Sequence, residues 1–293
     1  LKSKNNSGDK KMEIKKYYEE IYRRFGNVSR ARGNFLYTQK NVRLADLYRE
    51  EGRAILGWGN GAYTVLKNTL SKGLAGSFIT AARARLENAV STLLNSKRKI
   101  FVFPKKQIAL RASLIFCKES AAFFKPFAKN AQGEPIDFSA TKSVVLYPPL
   151  AWTKNIFIVA ALCDGSENSC IEFFEEQLKL AGIFPQTLPP AFEAAASRAF
   201  YDLIAAQKTL YEKDFFIYDK ILTKYWRREG CYLRPKIPEE KYDDFVLHCL
   251  DCALAISPEY TADSIVPFGA DEGVFRKLEK TPFIFDSERN LNF

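Results

Sequence analysis

The stretch RARGNFLYTQKNVRLADLYREEGRAILGW, residues 30–58, decides the fold class of this chain. Phe35, Tyr37, Val42, Leu44 and Leu47 are strand-forming side chains, and the polar run 38–41 supplies a reversal between them. The stretch therefore reads as a short β-meander. Gly52 and Gly57 follow it, punctuating a turn in which a missing Cβ permits positive φ and close packing.

Working outward, Ile14, Tyr17, Tyr18, Ile21, Tyr22 and Phe25 recur at close to helical spacing, which predicts an amphipathic helix over 11–25 ending near Gly26. Downstream, helices are expected over 62–70 and 80–96, a strand over 99–103 and a helix over 106–122. A loop with Gly133 and Pro135 leads to strands over 143–147 and 156–162, a turn over 164–169 and a helix over 170–181. A proline-rich joint at 185–190 precedes helices over 191–213 and 215–229; residues 230–278 then read strand, helix, strands. This order is that of an α/β layer. Gly73 and Gly76, and the proline-rich joint at 185–190, divide the chain into 1–76 (helix and meander), 77–190 (a reduced α/β domain) and 191–293 (helices and a small α+β domain).

The 293 residues, 47% of them hydrophobic, exceed one typical domain and can fill a sizeable core. No run of about 18 apolar residues suggests a membrane span. The first dozen residues are polar and lysine-rich, which argues against a signal peptide and for a cytoplasmic protein. The net charge of +10 raises nucleic-acid binding as a reading. Its cations fall in separate segments at 10–16, 23–32, 97–106 and 224–234, a pattern that a solvated basic surface explains as well. Six cysteines, Cys117, Cys163, Cys170, Cys231, Cys249 and Cys252, are expected as free thiols. Cys249 and Cys252 form a lone C-x-x-C beside His248 within a helical pattern, with no second pair to complete a zinc site. His248 is the only histidine, which removes multi-histidine metal catalysis; no G-x-S-x-G elbow accompanies it.

The meander and turn resemble the entry to the class III aminotransferases, the pyridoxal-phosphate (PLP) fold-type-I group that includes the glutamate semialdehyde aminomutases. Gly33, Leu36, Tyr37, Leu44, Asp46, Leu47, Gly52, Leu56 and Gly57 carry the likeness. A second stretch continues it in the right order: Leu254, Ala255, Ile256, Ser257 and Pro258, then 264–267, then Asp271, Glu272, Phe275 and Leu278. The family's glycine before the second stretch is Ala253 here. The resemblance implies a truncated fold-type-I PLP-transferase-like sheet with helices, plus a small C-terminal α+β domain, assembled as a homodimer.

The family's chemistry needs a Schiff-base lysine, a carboxylate at the pyridine nitrogen, an aromatic ring and a phosphate cup. Its phosphate motif, its Asp-Glu-Val strand and its Gly-Lys signature are missing from 77–190. Lys142, in a Ser-x-Thr-Lys run, and Lys154, before an apolar strand, are the substitute candidates. Gly57, Gly59 and Gly61 imitate a phosphate loop but lack the preceding strand. Arg53 and Trp58 flank that turn and are candidates for facing a cleft, where arginine could clamp a small amino-acid or anionic ligand. Lys105, Lys106 and Arg111 are further candidate phosphate contacts. The missing motifs favour a degenerate aminotransferase-like protein, a pseudoenzyme acting as a binding or structural homodimer with no cofactor and no metal. A compact PLP-dependent aminotransferase or aminomutase and a basic nucleic-acid-binding protein are the alternatives.

Overall fold

The computed structural model describes residues 12–117, 121–163 and 167–285, without the side chains of 167–171. In chain order the elements are α1 (Ile14–Phe25), β1 (Val28–Arg32), β2 (Phe35–Thr38), β3 (Arg43–Asp46), α2 (Gly61–Leu70), α3 (Ala81–Leu93), β4 (Arg98–Phe103) and α4 (Lys106–Cys117). β5 (Ala122–Phe123), β6 (Ser143–Leu146), β7 (Phe157–Leu162), α5 (Glu167–Leu180) and α6 (Pro190–Thr209) follow. The last stretch holds α7 (Lys213–Phe216), α8 (Asp219–Tyr225), β8 (Trp226–Glu229), β9 (Tyr232–Pro235), α9 (Tyr242–Asp251), β10 (Leu254–Ala255), β11 (Ser264–Ile265) and α10 (Arg276–Lys280).

These elements form two compact units. The first joins Leu1–Gly52 to Tyr211–Phe293; the second is Arg53–Leu210. The sequence boundaries at 76 and 190 differ from these because glycine and proline breaks do not register long-range pairing. In the first unit, β10 pairs in parallel with β3, Leu254 opposite Ala45, so the C-terminal stretch completes the N-terminal meander. The sheet order is β1-β2-β3-β10, and a second sheet runs β11-β9-β8. The small α+β domain is thus built from both chain termini rather than from 191–293 alone.

α1 turns Tyr17, Ile21 and Phe25 inward, where they join Leu44, Leu47, Trp226, Tyr242 and Phe245 in one core. Each such fully buried large side chain contributes about 1.5–3 kcal/mol of transfer free energy. Trp226 lies edge-on to Tyr225 and 5.1 Å from Phe245. The expected helix over 215–229 is corrected here: it ends at Tyr225, and 226–229 is strand β8, paired with β9 across Gly230 at φ +58. An aromatic strand edge paid back by cross-strand pairing overrides the helical pattern.

In the second unit the sheet order is β4-β7-β6-β5, with β7 antiparallel to both neighbours and β5 parallel to β6. Period-two alternation sends Ile100, Val102, Val144 and Ile158 to one face, beneath Leu86 and Phe200 of α3 and α6. Phe101, Phe103, Val145 and Val159 go to the other, against Ala112 and Phe174 of α4 and α5. Burial on both faces explains the unbroken apolar runs in β6 and β7. α4 is described to Cys117, short of the expected 122, where β5 already runs; α5 begins at Glu167, inside the expected turn, and 164–166 lie outside the described residues. No described helix is long and apolar enough to cross a membrane.

Candidate functional site

Of the residues singled out for chemistry in the second unit, Arg53 and Lys154 meet at the connection between β6 and β7. Thr153 organises it: its hydroxyl donates to the Leu150 carbonyl at 2.7 Å, and its own carbonyl accepts from Ile156 N at 3.0 Å. Arg53 is drawn into this loop. It is 3% exposed, and its Nε and Nη2 donate to the carbonyls of Thr153 and Lys154 at 3.3 and 3.4 Å. Its guanidinium lies over the rings of Tyr147 and Phe157, 4.8 and 5.3 Å from their centroids. The clamp expected at Arg53 therefore grips protein backbone and rings, not an open cleft.

Trp58 is half-buried on the turn that follows. Gly57 and Gly59 take φ of +83 and +73, so the glycines serve the turn itself. Asn60 caps α2, its side chain accepting from Ala62 N at 3.1 Å. Trp152, on the loop, is exposed and meets Phe192 edge to face at 5.7 Å.

Lys154 is exposed on that loop, beyond the C-terminal end of β6. Lys142 is exposed at the opposite end, where its carbonyl accepts from Leu162 N at 2.8 Å. Beside Lys142, buried Arg98 holds the preceding stretch, donating to the carbonyls of Phe138, Ser139 and Thr141. Asp137, on the same stretch, accepts from the Ser139 amide and hydroxyl, and those bonds pull its carboxyl below its ordinary value. The half-buried Glu87 and the buried Glu193 are engaged elsewhere: Glu87 with Lys99 at 2.9 Å, and Glu193 with Arg83 at 3.7 Å. Lys105, Lys106 and Arg111 are exposed around the start of α4, and Lys106 Nζ sits 4.8 Å from the Phe123 ring centroid. Two exposed lysines, one just before β6 and one in the β6–β7 connection, with these carboxylates already bonded, do not fit the constellation PLP requires.

In the first unit, Arg49 is a residue that the sequence reading passed over. Arg49, Glu50, Glu51 and Gly52 have φ of +49, +52, +60 and +82, a left-handed turn that costs roughly 1–2 kcal/mol at each non-glycine position. Asp46 Oδ1 holds it by accepting from the amides of Tyr48 and Arg49 at 3.1 and 2.9 Å. The Tyr18 hydroxyl donates to Glu50 at 2.8 Å. The Arg49 guanidinium is buried over the Phe268 ring and donates to Asn34 Oδ1. Burial pulls it down to about 10 against the opposing field of Asp46. The signal for this turn was Asp46 three residues ahead of Arg49, a spacing that lets a carboxylate bond the backbone locally.

His248 donates from Nε2 to the Thr281 carbonyl at 2.8 Å and faces Cys252 Sγ at 3.9 Å. Cys249 is buried, which pushes its thiol up. Cys117, Cys163, Cys231, Cys249 and Cys252 are not joined in disulfides; the Cys170 side chain lies outside the described residues. Among the described residues no three His, Cys, Asp or Glu side chains gather as a metal set.

No family model matches the chain. An uncharacterised protein of Treponema pallidum (strain Nichols) is 27% identical over 291 residues, covering 86% of this chain and 92% of the relative. One from Borreliella burgdorferi is 25% identical over 263 residues, covering 87% and 90%. Among solved structures, acetylornithine aminotransferase from Elizabethkingia anophelis superposes with a TM-score of 0.61 at 13% identity, over 92% of this chain and 99% of that one. Ornithine aminotransferase from Plasmodium yoelii gives 0.57 at 11%, over 92% and 97%. A serine palmitoyltransferase from S. paucimobilis, solved with PLP and myriocin bound, gives 0.57 at 10%, over 92% and 97%. The fold is that of the fold-type-I PLP transferases, as the sequence resemblance implied, and the class III aminotransferases are among its structural neighbours.

Proposed function

We propose that this chain is a degenerate aminotransferase-like protein, of the same ancestry as the glutamate semialdehyde aminomutase group, that has lost PLP chemistry and acts as a cytoplasmic binding or structural homodimer. The observation that carries this reading is the exposure of both Lys142, just before β6, and Lys154, in the β6–β7 connection. A Schiff-base lysine is activated by desolvation or a neighbouring cation, and neither lysine is buried. The burial of Arg53 in the loop beside Lys154 supports it further, since a guanidinium bonded to Thr153 and Lys154 carbonyls is committed to structure. Against the nucleic-acid alternative, Arg24 bonds Glu20 and Asp251, Lys99 bonds Glu87, and Arg98 is buried, so two of the basic segments spend charge internally.

The test is spectroscopic. The purified chain is mixed with PLP, treated with borohydride, gel-filtered and digested for mapping. The expected result is no stoichiometric adduct at Lys142 or Lys154 and no protein-bound visible absorbance. A stoichiometric adduct at either lysine supports the compact PLP-dependent enzyme instead. Sedimentation at micromolar concentration tests the assembly: a dimer is expected, and a monomer removes that part of the reading.

A further inference from the structure

The strongest unassigned feature lies in the first unit and includes none of the residues weighed for PLP chemistry. A cavity of about 300 Å³ opens between β3, the end of α9 and α10. Four cations line it: Arg43 from β3, and Arg276, Lys277 and Lys280 from α10. No carboxylate is among its lining residues. Its floor is small and apolar at Ala45 and Val274, with the Cys252 thiol beside them.

We propose that this cavity binds a small phosphorylated molecule carrying at least two negative charges, of the pyrophosphate or bisphosphate class. The physical argument begins with repulsion. Arg276 and Lys280 stand four residues apart on one helix face, a like-charge pair that destabilises a helix until an anion sits between them. All four cations are exposed, and none makes an ion pair among the described residues. The acid on this helix, Glu279, is directed to Lys220 at 3.2 Å instead.

Arg43 is also held in position. Its guanidinium stacks over the Phe35 ring at 4.3 Å from the centroid, which fixes the plane of a fork suited to two oxygens of one phosphate. The lysines supply mobile point charges for a second phosphate. The volume is at the lower limit for small-molecule pockets, so a compact ligand fits and a large apolar one does not. The proposal goes beyond the pseudoenzyme reading, because it uses none of the same side chains and survives if that reading fails.

The probe is inorganic pyrophosphate, titrated calorimetrically into the full chain at about 0.1 M salt, where remote charges are screened. Saturable one-to-one binding is expected, tighter than that of orthophosphate. Arg43→Gln and Lys277→Gln should each raise Kd about tenfold, the loss of one charge-assisted bond. Both side chains are exposed, so the fold should tolerate each change; Lys280→Gln is a third arm should either fail to fold. Lys67→Gln, an exposed lysine of α2, should leave Kd unchanged. Absence of saturable binding overturns the proposal. So does equal weakening by Lys67→Gln, which marks a diffuse basic surface. Displacement of pyrophosphate by a short single-stranded oligonucleotide at far lower concentration overturns it too, assigning the cations to a nucleic-acid backbone.

Discussion

Replacing Arg53 with methionine separates a structural anchor from a ligand clamp. In the fold-type-I scaffold described above, Arg53 makes two long bonds to backbone carbonyls and lies over two rings. Bonds of 3.3 and 3.4 Å are at the weak end of the charge-assisted range, about 1 kcal/mol each. Desolvated cation–π contacts contribute about 2 kcal/mol together. Methionine keeps the apolar stem packed and removes the cost of burying the guanidinium, which offsets roughly half of that gross loss. Thr153 O still accepts from Ile156 N, so one carbonyl keeps a partner. The expected net destabilisation is therefore about 2 kcal/mol, and more for Arg53→Ala, which also leaves a cavity. Hydrogen exchange read by mass spectrometry on a peptide spanning 147–157 should accelerate about thirtyfold, since each 1.4 kcal/mol is tenfold when exchange follows the opening equilibrium. Urea unfolding should show a matching loss. Exchange and stability unchanged within about 0.5 kcal/mol would refute the anchor and return Arg53 to the ligand-clamping role expected from the sequence.

Ala253 follows α9 at φ +62, so Ala253→Gly should stabilise the chain by about 0.5–1 kcal/mol in thermal or urea unfolding, and a loss would contradict the left-handed assignment. The Tyr17 hydroxyl is buried with no hydrogen-bond partner among the described residues, whereas that of Tyr242 donates to the Ser257 carbonyl at 2.8 Å. Tyr17→Phe should be neutral or stabilising, and Tyr242→Phe should cost about 1–2 kcal/mol, so equal effects in urea titrations would negate the contrast. Burial raises the Glu193 carboxyl above its ordinary value, against the lowering pull of Arg83. The folded chain then holds this proton more tightly than the unfolded one, so Glu193 contributes stability in acid that is lost as pH rises from the ordinary carboxylate value through the raised one. Glu193→Gln should remove that fall: the stability of the variant relative to the parent should improve with pH across this window, and a flat or opposite difference would disprove it.

What the sequence discloses here is what neighbours along the chain decide. The meander is readable because β2 and β3 pair across a four-residue reversal, Phe35 opposite Ala45 and Tyr37 opposite Arg43. The helix expected over 11–25 is likewise local, its inward residues Tyr17, Ile21 and Phe25 falling on one face. The strand at 226–229 escaped because its register is set by β9, with Arg228 opposite Leu233, and nothing within the segment itself encodes that pairing. The division into units escaped for the same reason at greater range: Leu254 beside Ala45 joins two parts of the chain that glycine and proline breaks set apart.

The candidate site shows the limit most directly. Arginine beside a glycine turn is legible, but whether it faces ligand or protein depends on Tyr147, Thr153 and Phe157, about a hundred residues further on. The same holds in reverse for the basic cavity. Arg276, Lys277 and Lys280 read along the chain as an ordinary solvated helix, and only the approach of Arg43 on Phe35 turns them into a concave set of four positive charges. A charge becomes a site when distant backbone brings a second charge to it and keeps carboxylates out. In this chain that condition is met in the cavity beside α10, while the lysines expected to carry chemistry stand apart, one just before β6 and one in the β6–β7 connection.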